Sequence, residues 1–212
     1  MILNSKHLLI IFTRNPELGK VKSRLAADVG EQAALNIYKF LLAHTHKVTK
    51  ELKVDKEVWY SNSIPDKDLW DKGAFTKHAQ IENDDLGARM QYAFDRGFKK
   101  GYKYISIIGS DLYDISQADM EQALSQLENK DAVIGPATDG GFYYLGLSRS
   151  INALFENKKW GSNSVLEDCL NDLKKYKIAQ LSAKNDVDYL SDISDIDVFK
   201  PFLHIKLEEK ND

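Results

Sequence analysis

"YKYISIIGSDLYDISQADMEQALSQL" (residues 102–127) reads as one whole strand, one loop and one helix, and the rest of the chain follows the same alternation. Residues 102–109 are a short apolar run with β-branched side chains, as expected of a strand covered on both faces. Ser116 and Asp119 stand three apart and give a capping-box-like helix start over 116–128. Met120, Ala123, Leu124 and Leu127 then supply one helical face. Asp111 and Asp114 lie between strand and helix. Because Ser116 is the better cap, Asp111 is left free to bind a divalent cation, whereas Asp114 reads as a turn residue.

The same unit recurs in both directions along the chain. "HLLIIFT" (7–13), "EVWYS" (57–61), "DAVIGPA" (131–137), "GFYYLGL" (141–147) and "KIAQLS" (177–182) read as strands, with "KHAQI" (77–81) as a weak one. Helices are expected over 31–52, where Ala34, Tyr38, Leu41, Thr45, Val48 and Leu52 share a face, over 86–99, and over 163–175. The segment 63–73 is polar loop or short helix, and 191–202 is short helix and turn. Strands alternating with helices predict an α/β fold, a mostly parallel central sheet with helices on both faces. The expected organisation is a single domain over 1–203 and a polar tail over 204–212.

Composition narrows the function. The 212 residues carry a net charge of −3, so a general nucleic-acid or anionic-membrane surface is not expected and anion binding must be local. Cys169, the lone cysteine, lies among apolar helical positions and reads as a small buried hydrophobe. No apolar run approaches the roughly 20 residues that span a bilayer, and no leader-like core is seen, so a cytoplasmic location is expected.

In open parallel sheets ligands bind at the carboxyl ends of the strands. The loop after each strand is therefore informative. After the first comes "TRNPELGKVKSRL" (13–25), with Arg14, Lys20, Lys22 and Arg24. It is neither a Walker loop nor a dinucleotide fingerprint. Lys22 and Arg24, two apart, would face the same way in an extended segment and could clamp a diphosphate, with Gly19 letting the backbone approach. After the others come "GSDLYD" (109–114), "PATDGG" (136–141) and "AKNDVDYLSD" (183–192). Asp186 and Asp188 share one face if that segment is extended, and hard cations favour such oxygen ligands. Asp139-Gly140-Gly141 is a tight turn open to a ligand. In "NDDLGARM" (83–90), Asp85 or its neighbour caps a helix and pairs with Arg89, and Gly87 in the first turn hints at a close approach. Trp160 reads as a buried aromatic or the cover of a pocket.

"FTRNPELGKVKSRLA", "NDDLGARM", "IIGSDLYDI", "GPATDGGFYYLGL", "WGSNSVL" and "NDVDYLSDI" occur in one order, from about residue 8 to about residue 197. Together they resemble DUF2064, a glycosyltransferase-A-like family of the nucleotide-diphospho-sugar transferase superfamily. The resemblance implies a Rossmann-like GT-A fold with a nucleotide at the sheet's carboxyl edge. It implies that Lys22 and Arg24, with Arg14 and Gly19 of the same loop, face the nucleotide phosphates, and that Asp85 and Gly87 sit near the nucleotide. Asp111 would bind Mg²⁺ or Mn²⁺ with Asp188 as second ligand, and Asp139, Gly140 and Gly141 would line the acceptor or sugar side. Arg14 and Ser23 stand where the family usually has Lys and Thr, and Leu112-Tyr113 stands where it usually has a Pro.

The expected function is a metal-dependent glycosyltransferase that uses a nucleotide-diphospho-sugar. In it Asp139 takes the proton of an acceptor hydroxyl while Lys22 and Arg24 stabilise the departing diphosphate. A nucleotidyltransferase joining an NTP to a small phosphorylated acceptor is the alternative, and a non-catalytic nucleotide-binding module the third. The partners expected are the nucleotide and an acceptor, with no nucleic acid and no membrane span; a homodimer is compatible with the sequence.

Overall fold

The computed structural model describes residues 5–203. The expected tail, 204–212, lies outside the described residues. The strands are β1 (His7–Thr13), β2 (Asp55–Tyr60), β3 (Thr76–Ala79), β4 (Tyr104–Ile108), β5 (Ala132–Pro136), β6 (Phe142–Leu147) and β7 (Ile178–Gln180). They form one seven-stranded sheet in the order β3-β2-β1-β4-β6-β5-β7. β6 runs antiparallel to both of its neighbours, β4 and β5, while the pairs β1–β2, β1–β4, β2–β3 and β5–β7 are parallel. Six strands therefore point the same way, and the loops after β1, β4, β5 and β7 leave the sheet at one edge.

The helices are α1 (Ser23–Val29), α2 (Glu31–Lys50), α3 (Leu86–Lys99), α4 (Gln117–Leu127), α5 (Val165–Asp172) and the short α6 (Lys200–Leu203). Strand side chains alternate between two apolar layers. Leu9 and Ile11 of β1 pack in the layer with Tyr38, Leu42 and Met120 of α2 and α4. Leu8 and Ile10 pack in the opposite layer with Met90, Phe94 and Cys169 of α3 and α5. Each fully buried Leu or Ile contributes roughly 1.5–3 kcal/mol, which is why the central strands contain little but such residues. Cys169 is fully buried, and burial pushes its thiol up to about 12, as suits a packing residue.

Most expected elements form near their expected bounds. α3 spans the expected 86–99. Ser116 caps α4 in a capping box with Asp119. α2 stops at Lys50, but Leu52 beyond it is still buried. α5 is shorter than expected. α1 departs from the expectation, because the basic loop turns into helix at Ser23 instead of staying extended. No helix among the described residues is long and apolar enough to cross a membrane.

Candidate active site

The site is built from the loop after β1 upward. Thr13, Tyr38 and Ser110 form a buried hydroxyl cluster in which Tyr38 and Ser110 oxygens lie 3.2 Å apart. Tyr38 also accepts from the Arg14 amide at 2.9 Å, which ties the start of the basic loop to α2. The loop ends at Lys22, whose φ of 49° lies in the left-handed region and which forms the N-cap of α1. For a residue with a side chain that conformation costs about 1 kcal/mol or more and persists only where surroundings fix it.

The surroundings are two carboxylates from loops far away in sequence. Lys22 Nζ donates to Asp111 Oδ2 at 2.9 Å and to Asp188 Oδ1 at 2.8 Å, and its side chain is 5% exposed. Arg24 reaches the other oxygen, Asp188 Oδ2, at 3.2 Å. So Lys22 and Arg24 do converge, from the first turn of a helix rather than along an extended strand. Burial alone would lower the Lys22 ammonium's pKa, but Asp111 and Asp188 outweigh it and hold the group charged. Burial likewise pushes Asp111 up, and Lys22 with help from Arg14 brings it below the usual carboxylate range.

Asp111 sits just past β4, where its carbonyl accepts from the Val187 amide at 3.2 Å. The adjacent Leu112 pairs with Asp186 as an isolated antiparallel bridge. This fixes 186–188 as extended chain. Val187 is buried between two outward-facing acids. Asp188 goes to Lys22 and Arg24. Asp186 lines a gap of about 70 Å³ beside Asp111. Its burial, then Asp139, Asp188 and Asp111 nearby, push its carboxyl up to about 6. Sequence shows Asp186 only as half of a pair. The apolar Val187 between two acids is the signal that both face the site.

Asp139 and Gly141 border a larger cavity of about 210 Å³, on the side of the sheet edge toward α3 and α5. Asp139 Oδ1 accepts from the Gly141 amide at 2.8 Å in the turn between β5 and β6. Gly140 has φ +90°, and a Cβ there would meet the Asn163 carbonyl oxygen at 2.3 Å, so the chain's own backbone fills the space expected for a ligand.

The remaining expected residues are placed differently. Gly19 faces the Glu31 carboxylate, 3.3 Å from where its Cβ would be. Asp85 caps α3, accepting from the Ala88 amide at 2.7 Å. Arg89 does not pair with it but donates to Gln80 Oε1 at 3.0 Å. Gly87 is buried, and the close approach it signals is the Phe155 carbonyl, 2.2 Å from its would-be Cβ, with Trp160 beside it. Trp160 lines the larger cavity. Arg14 and Arg24 remain exposed at the mouth of the site.

Comparison with known proteins places the chain in a family. The model of the bacterial family DUF2064, described as an uncharacterized protein conserved in bacteria, matches residues 43–162. The chain belongs to DUF2064. The match includes Asp85, Gly87, Asp111 and Asp139, while Lys22, Arg24 and Asp188 lie outside it and are joined to it only by the fold. Among solved structures, this DUF2064 protein is similar to a candidate nucleotide-diphospho-sugar transferase from Desulfovibrio desulfuricans G20. Their identity is 28% and the TM-score 0.83, with 98% of this chain and 95% of the other covered. The fold is shared with the inositol-1-phosphate CTP transferase of T. maritima, at 12% identity and TM-score 0.56, covering 96% and 97% of the two chains. It is also shared with Rv0371c of Mycobacterium tuberculosis H37Rv in complex with manganese, at 12% identity and TM-score 0.53, covering 95% and 100%. No curated protein matches the chain.

Proposed function

We propose that the protein is a transferase acting on a nucleotide-activated substrate, and that it moves a sugar from a nucleotide-diphospho-sugar to an acceptor hydroxyl with Mg²⁺ or Mn²⁺. The observation that supports this most is the convergence of Lys22, Arg24, Asp111 and Asp188 at the carboxyl edge of the sheet. Similarity over nearly the whole chain to the D. desulfuricans protein points the same way.

The residues fit a divalent cation of a particular kind. Among the described residues no group of three or more His, Cys, Asp or Glu forms a metal cage. Mg²⁺ and Mn²⁺ at phosphate sites do not need one, since one or two carboxylates and the ligand's phosphates suffice. Asp111 and Asp188 already hold one positive charge between them, the Lys22 ammonium. Burial, and then the negative charge of Asp139, Asp188 and Asp111 around it, raise the carboxyl of Asp186, so the cluster can accept a further positive charge. A metal held by Asp111 and Asp188 would neutralise charge on the departing diphosphate.

The chain's own groups do the rest. Arg24, 53% exposed, can turn its fork from Asp188 to a phosphate, and Lys22 supplies a fixed point charge beside it. Arg14 adds a second exposed guanidinium at the mouth. Asp139, on the opposite rim, takes the acceptor's proton. The freed oxygen bonds to the sugar's anomeric carbon, and the bond from that carbon to the diphosphate breaks, its electron pair leaving with the nucleotide.

A thermal-shift panel of nucleotide-diphospho-sugars and NTPs, with and without Mn²⁺, tests this on the wild type and Asp111→Ala. A bound ligand stabilises the native state by mass action, about 2.7 kcal/mol at 100 times Kd. The expected result is a metal-dependent rise with one nucleotide-sugar, lost in Asp111→Ala. A rise confined to an NTP moves the assignment to nucleotidyl transfer, the chemistry of the T. maritima protein. No rise with any nucleotide overturns both.

A further inference from the structure

The larger cavity has a chemistry that the nucleotide does not use. Its walls include Phe12, Met90, Ile108, Phe142, Trp160 and Val165, and among the described residues no Lys or Arg lines it. Among the described residues Asp139 is the one charged residue that lines it, with Ser162, Tyr143 and Trp160 as the other polar side chains; the Ser162 hydroxyl is paired with that of Ser164 at 3.1 Å. The Tyr143 hydroxyl donates to the Ser182 carbonyl at 3.2 Å. On the far side of Gly109 the situation is reversed, with Lys22 and Arg24 gathered around Asp111 and Asp188.

We propose that this cavity is the acceptor subsite and that it takes an uncharged alcohol with an apolar, ring-sized body, its hydroxyl directed to Asp139. The inference rests on the transferase reading above and names the substrate class for it. Three observations carry it. The volume of about 210 Å³ accommodates a six-membered ring with a short substituent, since a dry apolar cavity of about 150 Å³ already holds benzene. The wall is largely aromatic and apolar, so such a body gains stability in proportion to the apolar area removed from water. The charge pattern rejects an anion: a phosphate beside Asp139 would be repelled by its carboxylate, with no cation among the described residues of the wall to offset it. An acceptor carrying its own phosphate, as nucleotidyl transfer requires, is thus the wrong occupant.

The Trp160 indole N–H gives a local reporter. Its Nε1 is buried and has no hydrogen-bond partner among the described residues. In ¹⁵N-labelled full-length protein it gives one of three indole signals, the other two coming from Trp59 and Trp70, and Trp160→Phe assigns it by deletion. The probes are 4-methylphenol and glycerol 3-phosphate, added without nucleotide or metal. The expected result is that 4-methylphenol shifts the Trp160 signal saturably and glycerol 3-phosphate does not. Ser162→Lys, which puts a cation in the wall, should weaken 4-methylphenol by about tenfold, or 1.4 kcal/mol, and let glycerol 3-phosphate bind. Glycerol 3-phosphate binding the wild type as tightly as 4-methylphenol overturns the proposal, and so does the absence of any Trp160 shift with 4-methylphenol in the wild type. These readouts need no nucleotide. The acceptor assignment can therefore fail while the nucleotide panel succeeds, or the reverse.

Discussion

Two clusters of charge among the described residues are built on opposite plans. In the first, one carboxylate is surrounded. Glu57 of β2, with a side chain 4% exposed, accepts from Arg96 at 3.0 Å, Lys100 at 2.6 Å and the Trp59 indole at 3.1 Å. Burial pushes Glu57 up, but the His78 ring 3.4 Å away and the Lys100 ammonium outweigh it and bring the carboxyl to about 2. In the second cluster the acids are in excess. Asp111, Asp139, Asp186 and Asp188 meet at the sheet edge with Lys22 and Arg24 as the direct ion-pair partners, and Asp186 is left near 6. A buried charge that serves the fold is fully compensated. One left uncompensated is held in place by the rest of the structure and is available to a ligand.

The sharpest break of this contrast is Glu57→Gln. It leaves Arg96 and Lys100 facing a neutral amide, and should cost about 3 kcal/mol in urea unfolding at pH 7, the low end for breaking a buried pair because both cations are partly exposed. The carboxyl is held below its ordinary 4.5 in the folded chain. Its contribution is therefore fully present above pH 4.5 and is lost as the pH falls from there toward 2. Wild type and variant should converge in stability over that window. A loss under about 1 kcal/mol, or a gap that does not close in acid, would mean the cluster is ornamental.

Next in size is Lys22→Met. The substitution removes the one cation shared by Asp111 and Asp188 and sets two partly exposed carboxylates against each other. A loss of about 2 kcal/mol is expected in metal-free buffer at pH 7. Millimolar Mn²⁺ should recover most of it, because a cation returns to a place where one was. In Glu57→Gln the same Mn²⁺ should recover nothing. Equal behaviour of the two variants toward Mn²⁺ would erase the distinction between the clusters.

The same contrast separates what sequence can reveal from what it cannot. Glu57 carries no local signal, since a lone Glu in a strand does not announce that α3 will bring Arg96 and Lys100 to it. At the site, local signals are legible: the strand before Asp111, the Ser116 cap that frees it, and the Gly-Gly turn beside Asp139. So is the fold, because period-two and period-3.6 patterns are local. Partnerships across distance stay hidden. Lys22 meets Asp111 across 89 positions and Asp188 across 166. Its left-handed backbone, which turns "VKSRL" into a helix start, arises from those contacts rather than from any propensity of Lys. Gly87 does mark a close approach, but the neighbour is Trp160 and the Phe155 carbonyl rather than a nucleotide.

The smallest expected effect is also the most discriminating, because its sign is unusual. Asp186→Asn removes a partly buried carboxylate crowded by three others. Most substitutions of buried polar residues destabilise. Here the charge removed is desolvated by burial and repelled by its neighbours, the amide is nearly isosteric, and no side-chain ion pair of Asp186 is lost among the described residues. In metal-free buffer at pH 7 the variant should be more stable than wild type by about 1 kcal/mol, measured by urea unfolding, since one pKa unit of raised affinity for the proton is worth about 1.4 kcal/mol and partial exposure reduces it. Saturating Mn²⁺ should narrow the gap, because the ion relieves the same crowding in wild type that the substitution relieves in the variant. A destabilised Asp186→Asn would show that the acid is satisfied where it sits, and that the site resembles the Glu57 cluster after all.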